Sequence, residues 1–65
     1  MAVSAADIEK SIKGINFPAS KNDLVNTARQ HKAQPDVITT LEHLPERTYN
    51  TAVDVSKAFG ELKQE

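Results

Sequence analysis

The sequence contains no cysteine and no tryptophan, and only 5% of its residues are aromatic. Without cysteine the chain has no disulfide framework and no thiolate ligand for zinc, which is typical of a reducing compartment. No apolar run approaches the roughly 20 residues that a membrane-spanning helix needs. No basic segment leads into an apolar stretch at the N-terminus, as in a secretory signal peptide. These absences predict a soluble cytoplasmic protein with no membrane partner.

An excess of charge of one sign is also lacking. The chain has 8 basic and 9 acidic residues, and its formal net charge is −1. Proteins that bind nucleic acid or anionic membranes normally carry a strong positive field. The charge balance therefore disfavours nucleic acid and membrane surfaces as partners.

The length of the chain limits its core. A domain of 65 residues buries only about 60% of the surface that its unfolded chain exposes. Burial of a bulky apolar side chain contributes about 1.5–3 kcal/mol, and chain entropy nearly cancels the sum, so we expect a net stability of a few kcal/mol. The candidate core residues are Val3, Ile8, Ile12, Ile15, Phe17, Leu24, Val25, Val37, Ile38, Leu41, Leu44, Val53, Val55, Phe59 and Leu62.

One local pattern occurs three times, with a hydroxyl residue three positions before an acid. In such a capping box the hydroxyl accepts a hydrogen bond from a free backbone N–H of the first helical turn. The carboxylate accepts one from the N–H of the hydroxyl residue. The three pairs, each predicted to begin a helix, are Ser4 with Asp7, Ser20 with Asp23, and Thr51 with Asp54.

Other local signals complete a set of four helices. Pro35 suits a first helical turn, where its missing N–H would be unpaired anyway. Gly14 supplies the left-handed residue that commonly closes a helix, and Pro45 stops the helix before it. No β-hairpin pattern is present. The prediction is an all-α fold, a compact bundle of four short helices at approximately residues 4–13, 20–31, 35–44 and 51–60.

The fourth helix is expected to end at Gly60, because glycine costs about 1 kcal/mol relative to alanine inside a helix. Residues 1–60 then form a single helical domain, and residues 61–65 form a frayed C-terminal tail. Because so thin a core is often supplemented by association, a second copy could cover part of the Val53 to Leu62 face.

Several short blocks of the sequence suit core packing, helix capping or turns. They are Phe17-Pro18-Ala19-Ser20, Asp23-Leu24-Val25, Ala28, Leu41, Leu44-Pro45, Tyr49 and Asp54-Val55. With these blocks the stretch from Phe17 to Gly60, together with the preceding IEKSIKGI segment, resembles a family of short bacterial proteins known as domain of unknown function 2795. The resemblance implies a helical domain from a bacterium, with no activity or cofactor to transfer. Members often have glycine where this chain has Lys32, so the sequence does not fix the geometry at the end of the second helix.

The sequence shows no catalytic or metal-binding constellation. His31 and His43 are the two histidines, and without cysteine or an HExxH spacing they make a poor zinc site. We interpret both as exposed residues at helix ends. A thin core also leaves little room for a pocket that perturbs catalytic groups. The prediction is a protein that is not an enzyme and has no catalytic residue, cofactor or metal.

Arg47 and Tyr49 are of residue types that are enriched at binding hot spots. The alternative for Tyr49 is a ring packed over the junction of the third and fourth helices and bonded through its hydroxyl. The leading hypothesis is an interaction or regulatory module that binds an unidentified protein, or its own copy, through a helical surface and the 45–50 loop. The second hypothesis is a nucleic-acid-binding, helix-turn-helix-like domain that uses helices 20–31 and 35–44.

Overall fold

The computed structural model describes residues 3–63, the side chain of Lys63 apart. The helices are α1 (Ala5–Ser11), α2 (Lys21–Gln30), α3 (Pro35–Glu42) and α4 (Ala52–Lys63), and two short strands are β1 (Ala19–Ser20) and β2 (Thr48–Tyr49). The predicted all-α bundle of four short helices is confirmed. α1, α2 and α3 end one to two residues before their predicted limits, where the chain passes into turns.

Capping boxes begin α1 and α2 as predicted. The Ser4 hydroxyl accepts a hydrogen bond from the Asp7 N–H at 3.2 Å, and the Asp7 carboxylate accepts one from the Ser4 N–H at 3.0 Å. Ser20 and Asp23 form the same reciprocal pair. The Ser4 backbone N–H, helped by the Ser4 side chain, holds the pKa of the Asp7 carboxyl below its usual value, because it stabilises the ionised form.

The cap of α4 differs from the prediction in one bond. The Thr51 hydroxyl accepts from the Asp54 N–H at 3.2 Å, as expected. The Asp54 carboxylate, however, accepts from the N–H of Asn50 at 3.1 Å, one residue earlier than a capping box places it. The Asn50 N–H, which precedes the helix, thus has a hydrogen-bond acceptor. α4 begins at Ala52.

α4 continues through Gly60 to Lys63, so its predicted end at Gly60 is wrong. Residues 61–63 are helical where a frayed tail was expected, and residues 64 and 65 lie outside the described residues. Buried Val55, Ala58 and Phe59 anchor the preceding turns on the core. The cost of one exposed glycine, about 1 kcal/mol, does not outweigh that packing.

The two strands form an antiparallel pair that the sequence did not predict. Ala19 lies opposite Tyr49, and Ser20 lies opposite Thr48. Each strand has two residues and the partners are far apart in the chain, so no local hairpin pattern exists. The pair fastens the segment before α2 to the loop before α4.

The buried apolar residues that form the core are Ile8, Ile12, Ala19, Leu24, Val25, Ala28, Val37, Leu41, Leu44, Tyr49, Val55, Ala58 and Phe59. Of the residues predicted for the core, Val3, Ile15, Phe17 and Ile38 are partly buried and pack against it. Two others are exposed, Val53 at 61% and Leu62 at 39%. They are nine residues apart on α4, which places them about half a turn out of phase. Val53 and Leu62 therefore do not form one apolar face for a second copy.

The ends of α1 and α2 both use a left-handed residue. Gly14 follows α1 with φ +85°, as its sequence position predicted, and Lys32 follows α2 with φ +58°. Around Lys32, its own N–H donates to the Arg29 carbonyl and the Ala33 N–H donates to the Ala28 carbonyl, each at 3.0 Å. This pair of bonds is a Schellman motif, whose left-handed position is normally glycine. The structure thus explains why glycine suits the position of Lys32.

Candidate functional site

An open groove of about 800 Å³ lies along α2. One wall is a face of α2 on which Asp23, Asn26, Thr27 and Gln30 recur at i, i+3, i+4 and i+7. The other wall is the connector of residues 13–18, which leads back from the end of α1 to the start of α2. We call this feature the amide groove, after its exposed side-chain amides Asn16, Asn26 and Gln30.

A hydrogen bond joins the two walls at one end of the amide groove. Nε2 of His31, at the end of α2, lies 2.8 Å from the carbonyl oxygen of Lys13. Since a carbonyl only accepts, Nε2 carries the proton and donates it. His31 is exposed, as predicted for a helix-end residue. Its bond to the Lys13 carbonyl links the two walls at the C-terminal end of α2, and we call this end of the groove the closed end.

The charged residues of the amide groove lie at its two ends. Lys13 is at the closed end and Asp23 is near the start of α2, with neutral amides between them. Lys13, and Lys32 next to His31, are exposed and form no ion pair with any described residue. The closed end therefore carries positive charge that the described part of the protein does not neutralise.

A second, smaller hollow of about 270 Å³ lies where α2 meets the strand pair; its lining includes Lys21, Asn22, Glu46 and Arg47. We call it the Arg47 hollow. The ammonium of Lys21 donates to the Glu42 carbonyl at 3.1 Å and lies 3.8 Å from the Glu46 carboxylate. The Arg47 guanidinium lies 3.5 Å from the carboxylate of Glu61. Both cations of this hollow are thus paired within the protein.

Tyr49 is fully buried, which corrects its proposed role as a partner-binding residue. Its hydroxyl donates to the Pro45 carbonyl at 2.6 Å, so the packing interpretation of this ring holds. Burial raises the pKa of the Tyr49 hydroxyl, because the phenolate loses hydration. Of the pair singled out in the 45–50 loop, Arg47 alone is exposed to a partner.

α2 and α3 pack together and are joined by residues 31–34, as in a helix-turn-helix. The exposed residues of α3 include Asp36, Thr39 and Glu42, and this helix has no basic residue. Glu42 accepts a charged hydrogen bond from Arg29 of α2 at 3.1 Å. Contacts to phosphates and base edges come mainly from Arg, Lys, Asn and Gln. The exposed surface of α3 therefore carries carboxylates, whereas a DNA-reading helix needs Arg, Lys, Asn or Gln side chains.

Residues 3–63 hold no group of three His, Cys, Asp or Glu side chains that could bind a metal ion. Over the same residues, no helix is both long enough and apolar enough to cross a bilayer.

Sequence reasoning missed the amide groove, because its residues form no catalytic or metal-binding motif. One signal was available. The face of α2 that carries Asn26, Thr27 and Gln30 is polar but largely uncharged, whereas a merely solvated helix face usually alternates charges. The opposite wall, residues 13–18, gave no such signal, because its position depends on the tertiary fold.

Comparison with known families identifies the chain. The model of a family described as "Protein of unknown function (DUF2795)" matches residues 3–56, most of the sequence, and the chain belongs to that family. The resemblance drawn from the short sequence blocks is thereby confirmed. No match was found among curated proteins or among solved structures. The family description assigns no function to its members.

Proposed function

We propose that this DUF2795 protein is a non-catalytic interaction module of the bacterial cytoplasm, which binds an extended segment of a partner protein in the amide groove. The observation that carries the proposal is the set of exposed amides, Asn16, Asn26 and Gln30, in one groove. Each side-chain amide has a donor and an acceptor. An extended peptide offers one N–H and one C=O for each residue, so amides match its backbone whatever its side chains.

The walls of the amide groove are held in place by the core. α2 is anchored by buried Leu24, Val25 and Ala28. The connector is anchored at one end by Ile12 and at the other by Ala19, which is 2% exposed and pairs with Tyr49. Binding to a groove with fixed walls loses less conformational entropy than binding to a mobile loop. This rigidity supports a recognition role.

The charge pattern favours a protein over nucleic acid as the partner. A net charge of −1 and the carboxylates on α3 oppose approach to phosphates. The partner is a different protein or a second copy of this chain. Sedimentation over a range of concentrations distinguishes the two, because self-association raises the average mass as the concentration rises.

A matched pair of truncation variants tests the surface. The double variant Asn26→Ala/Gln30→Ala removes two exposed amides of the amide groove, and Asn22→Ala/Arg47→Ala removes two exposed polar groups of the Arg47 hollow. Each is compared with the unaltered chain in quantitative capture from native lysate, with circular dichroism as the check on folding. We expect the affinity of the first variant for the captured proteins to fall about tenfold, or about 1.4 kcal/mol. The second variant should retain the affinity of the unaltered chain.

The reverse pattern would move the binding surface to the Arg47 hollow and the 45–50 loop. Retention of every captured protein by both variants would contradict a role for either hollow. A chain that captures nothing above background and stays monomeric would contradict the interaction function itself.

A further inference from the structure

The length of the amide groove limits what it can hold. Its α2 wall extends over eight residues, from Asp23 to Gln30, which is about 10 Å for seven steps at the helical rise of about 1.5 Å per residue. An extended chain advances about 3.3–3.6 Å per residue. The groove therefore accommodates about three residues of an extended peptide, and its three side-chain amides provide about one for each.

The closed end of the groove favours a chain that stops there. The His31 ring crosses to the Lys13 carbonyl and joins the two walls at 2.8 Å. A peptide that continued along the groove past this point would have to pass over this bond or displace it. A peptide that terminates before it leaves the bond intact, so the groove fits the end of a polypeptide better than an internal segment.

The charge at the closed end selects which end of a polypeptide fits. Lys13 lines that end, Lys32 follows His31, and neither has an ion-pair partner among the described residues. The C-terminal end of α2 is the negative end of the helix dipole and opposes an anion, although the Arg29 and Ala28 carbonyls there already accept backbone hydrogen bonds. Lys13, which lines this end of the groove and has no ion-pair partner among the described residues, attracts an anion there.

We infer that the amide groove binds the C-terminus of a partner polypeptide, with about three extended residues along α2 and the terminal carboxylate beside Lys13. The inference rests on the proposed function and names its ligand. The side-chain amides of Asn16, Asn26 and Gln30 bond the peptide backbone. The Lys13 ammonium pairs with the carboxylate, and Asp23 at the open end faces the part of the partner that precedes these residues.

The test uses the isotopically labelled 65-residue chain and three mixtures of N-acetylated tetrapeptides with randomised side chains. One mixture has a free C-terminal carboxylate, the second has a C-terminal amide, and the third has a C-terminal amide and a fixed internal glutamate. NMR follows the side-chain amides of Asn16, Asn26 and Gln30 and the backbone of Lys13. We expect the free-acid mixture to shift these signals with an affinity about tenfold higher than that of either amidated mixture.

Two lysine variants provide the matched comparison. Lys13→Gln removes a charge from the groove, and Lys57→Gln removes an exposed lysine of α4 that forms no ion pair with a described residue. Lys13→Gln should reduce the advantage of the free acid over the amide to less than about twofold. Lys57→Gln should leave that advantage unchanged.

The outcomes separate this inference from the proposed function. Equal shifts at the groove with the acid and amide mixtures would overturn the carboxylate assignment and leave the groove as a peptide site. A preference for the internal glutamate would assign the closed end to an acidic side chain instead of a chain end. If no mixture shifts the groove signals at millimolar concentration, the inference and the choice of groove in the proposed function both fail.

Discussion

The amide groove and the Arg47 hollow are neighbours on the surface of α2, but their polar groups differ in how they are satisfied. In the Arg47 hollow, Lys21 and Arg47 already have acceptors within the protein. In the amide groove, Lys13 has no carboxylate partner among the described residues. A ligand that binds a paired cation must replace an existing bond, whereas an unpaired group gains a new one. The hollow richer in charged side chains is therefore the poorer candidate for binding.

The strand β2 beside the Arg47 hollow contains one fully buried residue, Tyr49. Tyr49→Ala should cost about 3–5 kcal/mol, because it removes a large core side chain. A loss of that size equals or exceeds the stability expected of so small a domain. Urea denaturation followed by circular dichroism should therefore show a chain that is largely unfolded without denaturant.

Tyr49→Phe keeps the packing and removes only the hydroxyl, so it isolates the bond to Pro45. We expect a loss of about 1–3 kcal/mol, since the Pro45 carbonyl would lose its partner in a partly buried position. Wild-type stability in this variant would show that water replaces the hydroxyl there. As a control on the other hollow, Asn26→Ala/Gln30→Ala should change stability by less than about 0.5 kcal/mol.

Gly14→Ala tests the connector wall of the amide groove. The φ of Gly14 is +85°, and a side chain in this region costs about 1–2 kcal/mol even though a Cβ would meet no atom within 4 Å. Gly60→Ala is the matched control. Its Cβ would also meet open space, but it lies within α4, so alanine should stabilise the protein by about 0.5–1 kcal/mol. Thermal unfolding of the two variants should shift in opposite directions.

Lys32→Gly should stabilise the protein by about 1 kcal/mol, because glycine adopts the left-handed conformation of the Schellman motif without strain. Lys32→Gln removes the same charge but keeps the strain, so it should stay close to wild type. If both variants gained stability equally in urea denaturation, charge repulsion at the closed end of the groove would be the cause instead of backbone conformation.

The smallest effect is expected at alkaline pH. Tyr49 is the single tyrosine, and burial raises the pKa of its hydroxyl above the usual value of a tyrosine. The stabilisation linked to this shift is complete below about pH 10 and is lost as the pH rises through the folded-state pKa. Ultraviolet absorbance should show a phenolate transition above pH 10, accompanied by unfolding. Tyr49→Phe should remove that component of the alkaline instability.

The helix starts were predictable because a capping box involves only residues within one turn. Ser20 and Asp23 bond as the sequence indicated, and Gly14 adopts the conformation expected of it. The predictions for the end of α4 and for Tyr49 were wrong because packing against residues distant in the chain outweighed the local sequence signal. α4 passes through Gly60 because Phe59 and Val55 hold it on the core, and Tyr49 is buried in a position that also suited a binding loop.

Sequence alone determined the helix starts, the class of fold and the reactive groups that the chain lacks, because these follow from residue identity and contacts a few positions apart. Only the tertiary structure paired Ala19 with Tyr49 and brought His31 to the Lys13 carbonyl. Those contacts join residues far apart in the chain, so their geometry depends on how all four helices pack at once. The amide groove, whose two walls are separate segments, is a consequence of that packing.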